Sequence, residues 1–381
     1  MKRNRLLSIL LVIVMIVMFT AGCSNQAQPT SDEQKTEGTA EVTQEATEPS
    51  NDDTAPAQKK VIAGVFIRSL TNPYEIELTK GAQMFADFYN AKGANIEIQI
   101  LPCESSDEKQ INDLKAFVTK KDANTDVIVF MITNTDPLMA EVAEICEDAQ
   151  VNWASLWNIP DGMHPQDYKY WVAHTGLDDY TTGKTTAEYL FASLDTPNEG
   201  NVLALQGMLA VTSATKRFEG LQDVLAENPG IKLLDQQTAN WSASEAMALT
   251  ETWLSKYSDV DAIWCANDDM AIGAVQALTA KGLNGKVKVC GADGTPDASA
   301  AVQAGDMVCT MNNNPYVQCG YMLTYCYKAL TGEIKTDEMT PEERYFNTPG
   351  AFWTSENIDD ELSKTVELNF DDLSYCYESA K

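Results

Sequence analysis

DAIWCANDDMAIGAVQALTAKGLNGKVKVCGADGTPDASAAVQAGDMVCTMNNN, residues Asp261–Asn314, is the stretch that decides the fold of this 381-residue chain. Three short apolar runs (AIWCA, VKVCGA and MVCTM) alternate with segments of helical pattern, giving strand, helix, strand, short helix, strand. Each run stops at a polar residue: Asn267, Asp293 and Asn313. In an open parallel α/β sheet, ligands bind outside the carboxyl ends of the strands. Three successive strands bringing Asn, Asp and Asn to that edge point to a polar small-molecule pocket. Helix capping and turn formation are the alternative at each position taken singly.

Working outward, the same alternation fills the chain. VIAGVFI (Val61–Ile67) is a continuous apolar run of the kind buried in parallel sheets. Pro73 then opens a helix over 74–91 that Gly93 ends. Strands are predicted over 95–101, 126–132 and 151–156, with helices over 107–121 and 135–150 between them. After a polar loop, 157–169, a strand over 170–174 closes the first series. The second runs through helix 179–194, strand 201–206, helix 212–227, strand 231–238 and helix 242–257 into the opening stretch. A helix over 316–330 and a strand over 348–353 follow. The 321 residues from Val61 exceed the ~250–300 at which single cores divide, so two Rossmann-like α/β lobes are expected.

The amino terminus is of another kind. Lys2, Arg3 and Arg5 precede an apolar run, Leu6–Phe19, with the length of a signal-peptide core and short of a membrane span. Thr20-Ala21-Gly22-Cys23 resembles a bacterial lipobox, which makes 1–22 the signal peptide and Cys23 the lipidated residue. Ser24–Lys60 is rich in Thr, Gln, Glu, Asp and Pro and cannot bury a core. As a flexible coil it spans roughly 30–35 Å, a tether holding a globular body near a membrane. The net charge of −29 excludes a basic nucleic-acid surface. With His164 and His174 the only histidines and no CxxC, the chain lacks a zinc pattern. The eight cysteines after Cys23 read as buried thiols, with disulfides as the alternative outside the cytoplasm.

CANDDMAIGAVQAL and VCGADGTPDASAAVQAG closely resemble the type 1 periplasmic (sugar-binding, ribose/galactose-like) proteins of ABC importers, and the resemblance extends over nearly all of Val61–Ile358. It implies two lobes with parallel sheets joined by a three-segment hinge, the crossovers falling near Leu177-Asp178, Asn313 and Asn347. One lobe is then 61–177 plus 314–346, and the other 178–313 plus 347–381. The residues after Asp360 run past the usual family end.

The resemblance also implies a ligand set. Asn72 and Tyr74 match the family's NPF motif, with Tyr74 laying a ring on a sugar face; Glu75 stands where a second aromatic is common. Trp157-Asn158 stands where the sugar binders commonly carry Asp-Arg, a departure from a simple aldopentose site; Trp157 offers a stacking surface or lines the gate. Arg217, in GMLAVTSATKRFEG, matches an arginine that points into the cleft, and Trp241 matches a second aromatic. Asn267, Asp293 and Asn313 complete the set. Capping or core packing is the plain alternative for each, and a surface ion pair for Arg217.

Enzyme readings fare worse. Thr182-Gly183-Lys184-Thr185 resembles the end of a P-loop, but the required earlier glycine is Asp178. No GxSxG, HExxH or GxGxxG occurs. Asp178-Asp179 and Asp268-Asp269 read as caps and surface charge. A lacI-type repressor would carry a DNA-binding segment where this chain carries an export signal. The expectation is a lipid-anchored, monomeric, extracytoplasmic protein without cofactor that captures a sugar or polyol for ABC permease subunits. A sensor-coupled receptor of the same build is the runner-up, and a secreted carbohydrate-active enzyme the alternative of another class.

Overall fold

The computed structural model describes residues 59–348, 350–364, 368–374 and 376. The signal segment, Cys23 and nearly all of the tether lie outside them. The first series gives β1 (Lys60–Ile67), α1 (Pro73–Asn90), β2 (Ile96–Pro102), α2 (Asp107–Val118), β3 (Thr125–Met131), α3 (Leu138–Asp148), β4 (Trp153–Leu156) and β5 (Trp171–Gly176). The second gives α4 (Asp179–Ala192), β6 (Gly200–Gln206), α5 (Thr212–Glu227), β7 (Ile231–Thr238), α6 (Ala243–Lys256), β8 (Ala262–Cys265), α7 (Asp268–Ala280), β9 (Lys288–Cys290), α8 (Pro296–Ala304) and β10 (Cys309–Asn312). The chain then returns through α9 (Pro315–Thr331), α10 (Pro341–Arg344) and β11 (Tyr345–Asn347), and ends in β12 (Ala351–Thr354) and α11 (Ile358–Ser363).

These strands form two six-stranded sheets, in the orders β2-β1-β3-β4-β5-β11 and β7-β6-β8-β9-β10-β12. The pairings are parallel except at the last edge, where β12 runs antiparallel to β10 (Cys309 opposite Thr354). The apolar pattern of β12 cannot reveal its direction. β11 was not expected at all: three residues, two of them exposed, carry no periodic signal. The helix expected from Thr135 begins only at Leu138, because Pro137 occupies its N-cap.

Burial on both faces explains the unbroken apolar strands. In the first lobe, Val65, Phe85 and Tyr325 pack on one face of the sheet and Phe66, Phe117, Trp153 and Trp171 on the other. Trp153 and Trp171 stack at 4.5 Å. The second lobe centres on Trp264, Leu203, Leu205 and Trp253. Gly183, once a P-loop candidate, has a packing role: a Cβ there would lie 1.9 Å from the Arg217 carbonyl oxygen. Only glycine lets α4 and α5 pack backbone to backbone, and that contact aims α5 at the cleft. Lys184 lies inside α4.

The tail corrects an expectation. It was placed with the second lobe, but Phe370 is buried in the first, among Phe85, Phe88 and Tyr321. Tyr89 and Tyr321 donate to the carbonyls of Phe370 and Asn369, and Lys92 pairs with Asp371. Phe370 redirects the segment together with Cys376, Leu368 and Leu373, which join the same core; burying a Phe is worth about 1.5–3 kcal/mol.

Candidate functional site

The two lobes enclose a cavity of about 300 Å3, of which only about 20 Å3 admits the centre of a water molecule. Small-molecule sites span ~300–1,000 Å3, so with only about 20 Å3 open the walls here are drawn together. Arg68, Asn72, Tyr74 and Trp157 line it from the first lobe; Ser213, Arg217, Trp241, Asn267 and Asp293 line it from the second.

The first wall grows from the ends of β1 and β4. Asn72 is the N-cap of α1, its side-chain oxygen accepting from the backbone of Tyr74 at 3.0 Å and Glu75 at 3.3 Å. Capping uses the oxygen and leaves the amide NH2 for the cavity, so the two readings of Asn72 are compatible. Tyr74 is buried, donates to Gln318 on α9 and packs its ring 4.6 Å from that of Trp157. Burial, with Asp293 next, pushes its phenol pKa well up, which keeps it neutral. Trp157 forms the centre of a tight turn, Asn158 N–H to Leu156 carbonyl at 3.0 Å, with φ of 66°. That is the strained hand of a γ-turn.

Arg68 was not foreseen. It follows β1 directly, lies 5.6 Å over the Trp157 ring, and pairs through Nε with Glu75 at 3.1 Å. Glu75 also accepts from Ser69 N at 2.7 Å. Burial raises the Glu75 pKa, with Arg68 pulling against it. Glu75, which stands where the family often has a second aromatic and was expected to cost a stacking face or replace it with an acceptor, anchors Arg68. The available signal was a cation directly after an unbroken apolar strand and seven residues before a carboxylate.

The second wall centres on Arg217. Its Nε donates to Asp179 at 2.8 Å, its Nη1 to the Ala266 carbonyl at 2.7 Å, and Nη1 lies 3.7 Å from Asp293. Its guanidinium sits 5.8 Å over the Trp241 ring. Burial opposes the charge, but Asp179 and Asp293 outweigh it and raise the Arg217 pKa. Arg217 is therefore a buried pair rather than a surface one, and Asp179, read as surface charge, is its partner. Ser213, also missed, lies one turn before Arg217 on the same face. Asn240 and Trp241 both have positive φ, 51° and 63°. The Trp241 ring rests where a Cβ on Gly207 would come within 2.1 Å, so the residue just after β6 must be glycine. Asn267 caps α7 through its oxygen, accepting from Met270 N at 3.1 Å.

Asp293 follows β9 with φ of 141°, a backbone state that side chains rarely adopt. Its N–H is fixed by the Met311 carbonyl at 2.7 Å. Burial, against the opposing pull of Arg217, raises its carboxyl pKa well above the ordinary range. Behind it Asp268 is fully buried, contrary to its reading as surface charge, accepting from Thr310 Oγ1 at 2.7 Å and Thr295 N at 2.8 Å. Burial raises Asp268 to about 6.

Asn158 and Asn313 are not on the cavity wall. The turn at Trp157 swings Asn158 inward, where it donates to the Thr133 carbonyl. Asn313 is buried beside Asp293, its N–H 3.1 Å from the Asp293 carbonyl oxygen. Among the described residues no His, Cys, Asp or Glu cluster could hold a metal ion, and all eight cysteines are free and buried.

Residues 62–334 match the family model of the periplasmic binding protein domain. The chain belongs to this family. The xylitol-binding protein of Mycolicibacterium smegmatis is 29% identical over 249 residues, covering 65% of this chain and 68% of its own. The D-allose-binding periplasmic protein of Escherichia coli is 28% identical over 255 residues, 66% of this chain and 78% of that one. Among solved structures, a twin-arginine translocation pathway signal protein from Burkholderia phytofirmans has a TM-score of 0.74 at 34% identity, over 79% of this chain and 91% of that one. An ABC transporter periplasmic solute-binding protein from Actinobacillus succinogenes with bound D-allose has a TM-score of 0.69 at 26% identity, covering 79% and 100%. As a periplasmic binding protein the chain holds solute rather than transforming it, which agrees with a cleft built of caps, rings and ion pairs.

Proposed function

We propose that this periplasmic binding protein captures a sugar or sugar-like polyol between its lobes and delivers it to an ABC importer. The observation that carries the reading is the composition of the cavity. Each wall brings an arginine, a tryptophan and a capping asparagine, and the second adds Asp293. Aromatic rings cover the CH faces of a sugar; amides, guanidinium groups and a carboxylate meet its hydroxyls. The bound solutes in the names of relatives, xylitol, D-allose and ribose, point the same way.

Closure is the mechanism. A ligand that touches both walls binds the closed state better than the open one and shifts the population toward it by that difference. The membrane partner then reads the closed shape. The lipobox at Cys23 and the acidic tether support a body anchored on the extracytoplasmic side of the membrane.

A thermal-shift screen of the chain from Ser24 onward tests the reading, with pentoses, hexoses, polyols, nucleosides and amino acids as probes. A ligand of the native state raises the melting temperature by mass action. A clear rise with one sugar or polyol class is expected. Rises confined to nucleosides or amino acids would keep the fold and overturn the carbohydrate assignment.

A further inference from the structure

Resting on that reading of the cleft, we propose that Arg68 is a specificity-determining residue. It donates through Nη1 to an uncharged oxygen of the ligand, and Glu75 is the positioning residue that makes the cleft favour neutral sugars over sugar acids.

The geometry leaves one Arg68 donor both buried and unpartnered. Its residue is only 8% exposed, and its Nε is held by Glu75 Oε1 at 3.1 Å. The guanidinium is braced over Trp157, whose own turn is fixed. Nη1 is buried with no hydrogen-bond partner, and Arg68 is one of the residues that line the cavity. A buried guanidinium N–H without an acceptor is costly, and arginine has donors only. The group that satisfies it must be a lone-pair oxygen of whatever occupies the cleft.

Charge decides which oxygen. Glu75 already neutralises Arg68, and Asp179 already neutralises Arg217 at 2.8 Å. Asp293 is a further buried carboxylate, 3.7 Å from a guanidinium that Asp179 engages more closely. Each guanidinium of the cleft is thus already matched by a carboxylate, with the Asp293 carboxyl beside them, so a ligand carboxylate or phosphate finds no cation left to neutralise it. A hydroxyl or ring oxygen accepts from Nη1 without that opposition.

Isothermal titration of the chain from Ser24 onward with D-glucose and D-glucuronate, D-galactose and D-galacturonate, D-xylose and D-xylonate, and D-allose, D-ribose, xylitol and myo-inositol tests this. The wild type should bind a neutral member at least ~100-fold more tightly than its acid. Arg68→Met keeps the apolar contact with Trp157 and should weaken the neutral ligand by about 10–100-fold, through loss of the donor. Because Arg68→Met strands Glu75, the double variant R68M/E75Q removes both charges and should show the same loss in a fold with a normal melt. Glu75→Gln keeps the bond from Ser69 N but frees the Arg68 charge; the acid-to-neutral affinity ratio should rise at least about tenfold. A purely structural Glu75 would lower both ligands alike and leave the ratio unmoved. Wild-type affinity in R68M/E75Q, an unmoved ratio in Glu75→Gln, or a wild type that prefers the acid would each overturn the inference. Failure of every sugar and polyol to bind the wild type would instead remove the reading on which it rests.

Discussion

The two walls of the cleft use the same parts in different ways. Each sets an arginine on a tryptophan held at positive φ, pairs that arginine with a buried carboxylate, and adds an asparagine whose oxygen caps a helix. The parts nevertheless come from non-equivalent strand ends. Trp157 follows β4, whereas Trp241 follows β7, the topological counterpart of β2. Arg68 finds its carboxylate seven residues on; Arg217 reaches one 38 residues back, on another helix. The local pair leaves Nη1 unpartnered, while the long-range pair uses Nη1 on the Ala266 carbonyl. The second wall is a fixed platform, and the first keeps a donor in reserve.

The sharpest way to break this comparison is at Arg217. Arg217→Met leaves Asp179 and Asp293 buried without their cation, an arrangement that costs about 3–5 kcal/mol. The expected outcome is loss of detectable ligand binding together with a fall in chemical-denaturation stability of that order. Asp293→Ala should also abolish binding while leaving folding largely intact, because Arg217 keeps its closer partner Asp179 at 2.8 Å. If Arg217→Met binds as the wild type does, the second wall is no platform.

How much of this was legible follows the same division. Periodicity exposed the strands and helices, since alternation of continuous apolar runs with 3.6-residue patterns is a local property of the chain. Short or weakly apolar pieces such as Tyr345–Asn347, and the direction of Ala351–Thr354, depend on which sheet edge remains open. In the site, seven expected positions line the cavity. Asn158 does not, because a residue after a positive-φ turn leaves the face its neighbour occupies. Asp179 and Asp268 were misread because adjacent carboxylates look alike in a sequence until packing buries one of them. Arg68 was missed because its meaning lies in an ion pair with Glu75, and each of the two residues alone suggests surface.

The lobes also differ in what pH does to them. In the first, His174 on β5 is buried, 2.8 Å from Ser155 Oγ, and burial lowers its pKa to about 3. A base held neutral contributes stability that is full above its unfolded value of ~6.5 and is lost as pH falls toward 3. In the second, Asp268 is raised to about 6, so its contribution is full below the unfolded carboxylate value and is lost as pH rises through 6. Denaturant titrations should therefore show His174→Gln gaining on the wild type by about 2 kcal/mol between pH 7 and 5. Asp268→Asn should move the other way, gaining on the wild type as pH rises over the same interval. Parallel pH curves for wild type and variants would mean that neither group carries the difference between the lobes.

The smallest effect is expected where the lobes meet. Val211, the N-cap of α5, offers no side-chain bond to the helix that carries Ser213 and Arg217. The cap comes from the other lobe: Asp136, between β3 and α3, accepts from Thr212 N at 2.9 Å and from the Thr212 hydroxyl. An N-cap carboxylate is worth about 0.5–2 kcal/mol, and here that energy exists only while the cleft is closed. Asp136→Ala should barely move the melting temperature of the unliganded protein if the lobes spend most of their time apart. It should speed ligand release by up to about tenfold, the kinetic equivalent of ~1.4 kcal/mol withdrawn from the closed state. Stopped-flow release from wild type and D136A, run beside a Thr212→Val variant that keeps the backbone donor, divides the effect between the two bonds. An unchanged release rate in D136A would mean that the walls, and not the cap between them, hold the cleft shut.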